Sequence, residues 1–329
     1  MFLKISKSKQ PLLVFFIPVI GLLLWLKAIF GYWPNLPFDY SSHQMPLFSI
    51  IEEVLHNLAS FSCLISCILV IICAVLLNRL NIKFILIAER TYLPAIFYII
   101  LSSSYYQIQK LNPALFSSVF LLFAIERVLD TYKLEHLAYE IFDAAFFIGV
   151  ASLFHFNAIY FVIYIWAGLI IMRPFYWREW VYSVLGIVVP YIILFSIYYL
   201  ADIHFDKVWT PIKYSFIETN HAQLNYQNFI LFGYFIFIFI AASIHMVGTF
   251  PVIKILARRA FNLLLIFFWL SVIIWIFIPG ASFEMLYIAS IPVSLLFSHY
   301  FVTVKSKFIY EIFFDLLVLM IIALQFIVK

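Results

Sequence analysis

Residues 54–83 read VLHNLASFSCLISCILVIICAVLLNRLNIK. From Leu58 to Leu77 no side chain is charged, and Arg79 and Lys83 follow at once. An apolar run of about 20 residues is what an α-helix needs to cross the hydrocarbon core of a bilayer. Lys and Arg are retained on the cytoplasmic side of an inserting chain, so the basic pair marks which end of that helix stays inside.

The same unit recurs on both sides of it. Apolar stretches fall at roughly 11–30, 54–77, 84–105, 112–128, 138–154, 157–172, 181–201, 227–247, 261–279, 281–302 and 309–328. Backbone polar groups in lipid must be paired within their own segment, and alternation at period two is absent, so each stretch predicts a helix and a barrel is excluded. The fold class expected is all-α, a polytopic transmembrane bundle of about eleven spans.

Charge placement then sets the direction. Lys4, Lys7, Lys9, Arg79, Lys83, Arg90, Arg127, Lys133, Arg173, Arg178, Lys254, Arg258, Arg259, Lys305 and Lys307 fall on one side, and only Lys27, Lys110, Lys207, Lys213 and Lys329 on the other. A bias of fifteen against five predicts a cytoplasmic N-terminus and an external C-terminus. The basic start before the 11–30 run reads as a retained first span, because that run is too long for a cleaved signal peptide.

Composition agrees. The chain is 66% hydrophobic and 11% charged with mean hydropathy +1.08, whereas a soluble domain carries about 25% charged residues. One integral domain over 1–329 is expected, with external segments at 31–53 and 202–226. The net charge of +4 is small and juxtamembrane, which suits anionic headgroups and argues against a nucleic-acid surface. The 39 Phe residues read as lipid-facing, and Cys63, Cys67 and Cys73 share one apolar stretch without the ligands of a zinc site.

Two stretches are irregular. Residues 84–105 carry Glu89 and Arg90 and then Pro94, so that span is expected to begin at the interface. The link Phe154-His155-Phe156-Asn157 predicts a tight hairpin between two short spans, either crossing or re-entrant. In the first external segment Leu47, Ile50, Ile51 and Val54 alternate with Glu52, Glu53 and His56, predicting a helix that lies along the outer interface. Trp209, Tyr214 and Tyr226 give the second segment the aromatic belt of an interface, on the same side as the first.

Chemistry is sparser. Glu89, Arg90, Glu126, Arg127, Asp130, Glu140, Asp143, Arg173, Arg178 and Glu179 gather at inner helix ends, predicting an ion-pair ring or an anionic-lipid or partner site. Asp143 borders an apolar run, where an ionised carboxylate costs a few kcal/mol unless paired, so Arg127 or Arg173 is expected beside it. Arg173-Pro174-Phe175-Tyr176-Trp177-Arg178-Glu179-Trp180 is the densest motif; Arg173, Trp177 and Arg178 are its candidate lipid- or partner-docking residues, against the plainer reading of an aromatic-basic span end. Outside, Asp39 is the candidate acid/base, and His43, Asp202, Asp206, Lys207, Lys213 and His221 are candidate ligand contacts. Carboxylates that orient an acceptor hydroxyl, beside cations that hold a departing phosphate, are what processing of a polyprenyl-phosphate-linked sugar requires. Phosphate-binding loops, HExxH and dinucleotide fingerprints are absent, so no metal or cofactor is expected. Interrupted helices and ionisable residues at mid-depth, the marks of a secondary transporter, are not legible either.

Leu111-Asn112-Pro113-Ala114, Val150-Ala151-Ser152-Leu153-Phe154-His155-Phe156-Asn157, Arg173 through Trp180 and Leu185-Gly186-Ile187-Val188-Val189-Pro190-Tyr191 together resemble an uncharacterised bacterial family of multi-spanning inner-membrane proteins, over most of the chain to about residue 200. That resemblance implies the bacterial inner membrane and carries no activity. A more distant architectural likeness is to membrane glycosyltransferases of the GT-C type, which have a long external first loop after the first span; Asp39 matches their essential acidic position, while their paired acidic motif is missing here. The function expected is binding or processing of a lipid-linked glycan or other lipid intermediate at the outer leaflet. The alternatives are a non-catalytic subunit of an envelope export or assembly complex, partnered by other envelope membrane proteins, and then a transporter.

Overall fold

The computed structural model describes residues 13–30, 44–55, 58–89, 91–105, 108–132, 138–172, 176–217 and 226–304, with 315–316 and 319–320. Among these the chain is all-helical. Twelve α-helices follow in order: α1 Leu13–Ile29, α2 Pro46–Leu55, α3 Ala59–Phe84, α4 Leu93–Ser102, α5 Pro113–Asp130, α6 Ala138–Phe154, α7 Val162–Met172, α8 Trp177–Leu200, α9 Asp206–Ile217, α10 Tyr226–Thr249, α11 Ile255–Phe277 and α12 Met285–Thr303. A 3-10 turn, Phe156–Phe161, joins α6 to α7.

Four of these helices, over Ser60–Phe84, Trp177–Leu200, Ile255–Phe277 and Met285–Thr303, are long and apolar enough to cross a membrane. Their outward surfaces are apolar too: Val181, Val184, Leu185, Val188, Ile192 and Ile197 of α8 are all exposed. Such an apolar surface is tolerable facing lipid and not facing water. The chain is a membrane protein.

The expected span 84–105 is not one helix. Asn81 holds the end of α3: its backbone carbonyl accepts from Leu86 N at 3.3 Å and its side-chain Oδ1 from Ile87 N at 3.1 Å. Between them Ile85 takes a left-handed conformation, φ 49°, which a β-branched residue rarely adopts. The helix that follows, α4, has ten residues, about 15 Å of rise against a hydrocarbon core of about 30 Å. Every residue of α4 is buried, enclosed by α1, α3 and α12. Phe97 of α4 sits 5.2 Å from the ring of Phe301 and 5.8 Å from that of Phe297, both on α12. After α4, Ser103, Ser104, Tyr105, Ile108, Gln109 and Asn112 lie outside any α-helix and are still buried, with Lys110 and Leu111 half-buried between them. An interrupted helix is therefore present at the centre of the bundle, contrary to the expectation from hydropathy.

The other boundaries shift less. Residues 54–77 were expected as one span; α2 ends at Leu55 and α3 runs on to Phe84. The stretch 281–302 begins as a helix only at Met285. The last expected span, 309–328, lies almost wholly outside the described residues. The hairpin at 154–157 forms as read, with His155 as the single residue between α6 and the 3-10 turn.

The tightest helix pair is α6 on α8. A Cβ built on Gly186 would stand 2.5 Å from the carbonyl oxygen of Phe142 and 2.6 Å from Ala145 Cβ; one on Gly149 would stand 2.9 Å from the carbonyl oxygen of Ile187. Both glycines are there because the backbones touch, the usual device for packing helices where no hydrophobic effect drives them together.

A buried polar site at the loop end of the bundle

The helices give the bundle two ends of different chemistry. At one end stand Arg79, Lys83, Glu126, Asp130, Arg127 and Asp143. Lys83 Nζ lies 2.8 Å from Glu126 Oε1 and 2.7 Å from Asp130 Oδ2, and Arg79 reaches the same Glu126 at 3.5 Å. Of the two partners expected for Asp143, Arg127 is beside it, Nε to Oδ2 3.5 Å, and Arg173 lies outside the described residues. Arg259 donates to the carbonyl of Met172 at 2.8 Å and covers the ring of Tyr132. Of the ring read from the sequence, Glu126, Asp130, Arg127 and Asp143 form ion pairs that are partly exposed, two of them with Lys83 and Arg79; Arg90 and Arg173 lie outside the described residues.

The other end holds the described parts of both predicted external segments. Leu47 of α2, Val208 and Ile212 of α9, and Leu153, Leu194 and Tyr198 of the bundle pack in one cluster. Phe48 lies 6.2 Å from Phe116 and Phe216 lies 5.8 Å from Phe156, so α2 and α9 sit over the junction of α5, α6 and the 3-10 turn. On α2 the residues turned inward are Pro46, Phe48 and Leu55; Ile50 and Val54 of the expected stripe are exposed.

Among the predicted site residues, Asp39, His43, Arg173 and His221 lie outside the described residues. Asp202, Asp206, Lys207 and Lys213 are exposed, and none has an ion-pair partner among the described residues. Asp202 has φ 53°, a value that suits the turn between α8 and α9 and that Asp tolerates. Trp177 and Arg178 are exposed beside each other at the start of α8, the guanidinium 5.9 Å from the indole centroid.

Beneath the loop helices is a polar site that the sequence reading did not assemble. Three breaks in the helices are linked there: Tyr105 and Ile108 after α4 contact Phe283 and Tyr287, and His155 before the 3-10 turn faces Glu284 in the link from Ile278 to Glu284. Asn112 closes the first break by capping α5, its side chain accepting from Ala114 N at 2.8 Å with Pro113 at the first helical position. Trp25 of α1 donates to Ser103 Oγ at 2.9 Å. Tyr287 of α12 donates to the carbonyl of Ile108 at 2.7 Å, and Tyr105 stacks on Phe283 at 5.9 Å. Irregular backbone at membrane depth is tolerated where protein encloses it in this way.

The charged members are His155 and Glu284. His155 Nδ1 stands 3.7 Å from Glu284 Oε1, and their side chains are 7% and 3% exposed. Burial pushes the imidazole of His155 down to about 4, so at neutral pH it carries one proton, and the ring nitrogen facing the carboxyl group is the one suited to hold it. Four buried polar atoms then have no hydrogen-bond partner among the described residues: His155 Nε2, Asn157 Oδ1, Gln109 Oε1 and Ser282 Oγ. The amide of Gln109 is fixed, because its Nε2 donates to the carbonyl of Ser103 at 3.0 Å and the reverse orientation would set oxygen against oxygen.

Beside this site an apolar cleft of about 350 Å³ lies between α10, α11 and α12. Phe235, Phe239, Phe268, Trp275 and Ala289 line it, and Ser282 and Phe283 form its end. One short turn thus presents Ser282 and Phe283 to the cleft and Glu284 to His155. Glu284 and Gln109 were overlooked in sequence, although a lone carboxylate after Gly280-Ala281-Ser282 inside an apolar run was a legible signal.

No curated protein matches the chain, and neither does a solved structure. A family match does exist and covers residues 44–329, well past the point near residue 200 where the quoted segments end. The chain belongs to the family of unknown function DUF6427.

Proposed function

We propose that this protein is a multi-pass protein of the bacterial inner membrane that binds, and acts on, a lipid-borne intermediate at the outer leaflet. The apolar cleft takes a hydrocarbon chain, and the polar site beside it takes the head group. One observation carries the reading: an apolar cleft is lined by Ser282 and Phe283, on the same turn as Glu284 of a buried His–Glu pair. A 150 Å³ apolar cavity admits a benzene ring, so about 350 Å³ has room for a segment of acyl or isoprenoid chain. With the charged end inside, as the positive-inside bias requires, the polar site faces outward under α2 and α9. Asp39 and His43 precede α2 in sequence, and Asp202, Asp206, Lys207, Lys213 and His221 lie on or beside α9; in this reading they flank the head group, with Asp39 as its acid/base.

The test is lipid retention by the full chain purified in gentle detergent and examined by native mass spectrometry. A bound lipid that is lost in Ala289→Trp, at unchanged thermal stability, is the expected result. A wild-type protein that retains none, or a variant that retains as much as wild type, ends the reading. Asp39→Asn, assayed by envelope glycan analysis at normal protein level, separately tests catalysis.

A second reading is favoured by the exposed Tyr176, Trp177 and Arg178 at the charged end, an aromatic-basic surface fit to dock another envelope membrane protein. A stoichiometric partner that is lost on Arg173→Ala with Arg178→Ala would support it, and a lone lipid-bearing protein would not.

A further inference from the structure

The apolar cleft lies where two consecutive helices part. α10 and α11 are joined by five residues, 250–254, yet each packs on α12 and hardly on the other. Ring contacts set their register against α12: His245 of α10 lies 5.4 Å from Tyr300, and Phe261 of α11 lies 4.9 Å from His299. At the common rise of helices this brings Phe239, Phe268 and Val293 to one level, where the rings of Phe239 and Phe268 stack at 3.9 Å. Inward of that level Ala242, Met246 and Phe261 are fully buried, so the cleft ends at the stacked pair. From Met285 to Val293 its depth is eight residues of α12, about 12 Å, within one leaflet of a core about 30 Å thick. A volume of about 350 Å³ over that depth leaves a mean section of roughly 30 Å². A methylene chain packed at carbon–carbon distances of about 4 Å fills roughly 20 Å². One chain fits, and two do not.

Along this depth the wall suits hydrocarbon. Ser271 and Ser290 turn their hydroxyls back onto the carbonyls of Phe267 and Leu286, at 2.9 and 2.6 Å. Ile236 and Ile240 belong to an exposed stripe of α10 that continues through Ile244 and Val247, and Trp269 to one of α11 that continues through Ile273 and Ile276. All three also line the cleft, which makes it continuous with the membrane-facing surface of the bundle. Deepening the lipid-binding reading, on which this step rests, we infer that the cleft takes a single hydrocarbon chain from the outer leaflet, and that Phe239, Phe268 and Val293 form the stop that sets the length gripped. Packing then discriminates, because a chain entering from the bilayer leaves one apolar medium for another. A chain that falls short leaves the rings without contacts, and one that is too long must bend out past Ile240 and Trp269.

The experiment offers the full chain, in native mass spectrometry, equal amounts of octanoyl, decanoyl, lauroyl, myristoyl, palmitoyl and stearoyl monoglyceride, which share one head group. Wild-type retention is expected to rise with chain length to a maximum at the chain that just meets the stacked rings. Phe268→Ala deepens the cleft and should move that maximum to longer chains; Val293→Phe makes it shallower and should move it to shorter ones. The ratio of stearoyl to lauroyl retention should change by about tenfold, upward in the first variant and downward in the second. Opposite shifts do not arise from a general loosening of the fold, and either variant suffices if the other is destabilised. A maximum at the same length in all three proteins, or no maximum at all, overturns the stop while leaving lipid binding intact. Two monoglycerides displaced together by Ala289→Trp overturn the one-chain width. Retention of none at any length refutes the lipid reading itself, and lipid-free dimers would assign the cleft to a second copy of the chain.

Discussion

Gly186 gives the sharpest test of the packing that supports the site. The substitution is Gly186→Ala, one methyl group on the face of α8 that meets α6. That methyl would sit 2.5 Å from the carbonyl oxygen of Phe142 and 2.6 Å from Ala145 Cβ. Favourable separations between carbon atoms are about 3.5–4.0 Å, so the two helices must part locally by about 1 Å. The nearest obstacle is backbone, which no rotamer change relieves. Overpacking costs typically about 1–3 kcal/mol, and a backbone obstacle argues for the upper half of that range. Exchanging Gly for Ala inside a helix returns at most about 1 kcal/mol. The net expectation is a loss of roughly 1–2 kcal/mol.

The internal control is Gly233→Ala on α10, where an added Cβ meets nothing within 4 Å. There the propensity gain is unopposed, and stability should hold or rise by up to about 1 kcal/mol. Reversible unfolding in mixed SDS micelles, followed by circular dichroism, compares the two on one scale. If Gly186→Ala proves no less stable than Gly233→Ala, α6 and α8 do not approach as described, and the position of His155 at the end of α6 falls with them.

Other outcomes follow from the same geometry. Tyr287→Phe leaves the Ile108 carbonyl buried without its donor and should cost about 1–3 kcal/mol in the same unfolding assay. A double-mutant cycle on Arg127 and Asp143, whose side chains are 43% and 42% exposed, should return less than about 1 kcal/mol, because solvent screens the pair; a larger coupling would mean the charged end is buried. For His155 the folded pKa lies near 4, below the ordinary 6.5. Its contribution is then fully present above pH 6.5 and is lost as pH falls toward 4, by an amount on the order of 3 kcal/mol that Glu284 beside it reduces; His155→Gln should flatten that slope. Cysteines placed at Trp209 and Arg178, in a background lacking Cys63, Cys67 and Cys73, should react with an impermeant reagent from outside and inside respectively. Labelling of both from one face would dissolve the two-ended reading.

How much of this was legible in the sequence varies by residue. The partner of Asp143 was, because a carboxylate at the edge of an apolar run has few affordable neighbours and Arg127 lies near the same inner helix end. The His155 hairpin and the Asn112-Pro113 helix start were, since caps and links are local. The irregular start of the 84–105 stretch was, from Glu89, Arg90 and Pro94, but the shortness of α4 was not. Hydropathy averages along one dimension, and Leu93–Ser102 is apolar whether its helix continues or stops. What ends α3 ahead of it is the side chain of Asn81 on Ile87 N and the left-handed Ile85, neither of which changes an average. The pairing within the polar site was hidden for a related reason. Glu284 stands out in sequence as a lone carboxylate in an apolar stretch, but only the fold sets it against His155, and Gln109 reads as a loop residue until Cys63, Ser103 and Tyr287 are seen to enclose its segment.

The contrast between the two ends also bears on where function resides. Ion pairs at the charged end are partly solvated, so they cost little to form and stabilise little. The loop end buries His155, Asn157, Gln109 and Ser282 with polar atoms unpartnered, as Asn78 and Glu140 are at the charged end. Each such atom costs about 1–3 kcal/mol, and four of them approach the whole net stability of a typical fold, about 5–15 kcal/mol. A packed protein sheds a cost of that size by exchanging the residues for apolar ones, unless something that binds there repays it. Ser282 could be alanine without loss of a hydrogen bond, and it stands next to Phe283, which Tyr105 holds by stacking; in the proposed lipid-binding reading its hydroxyl is one that a head group would use.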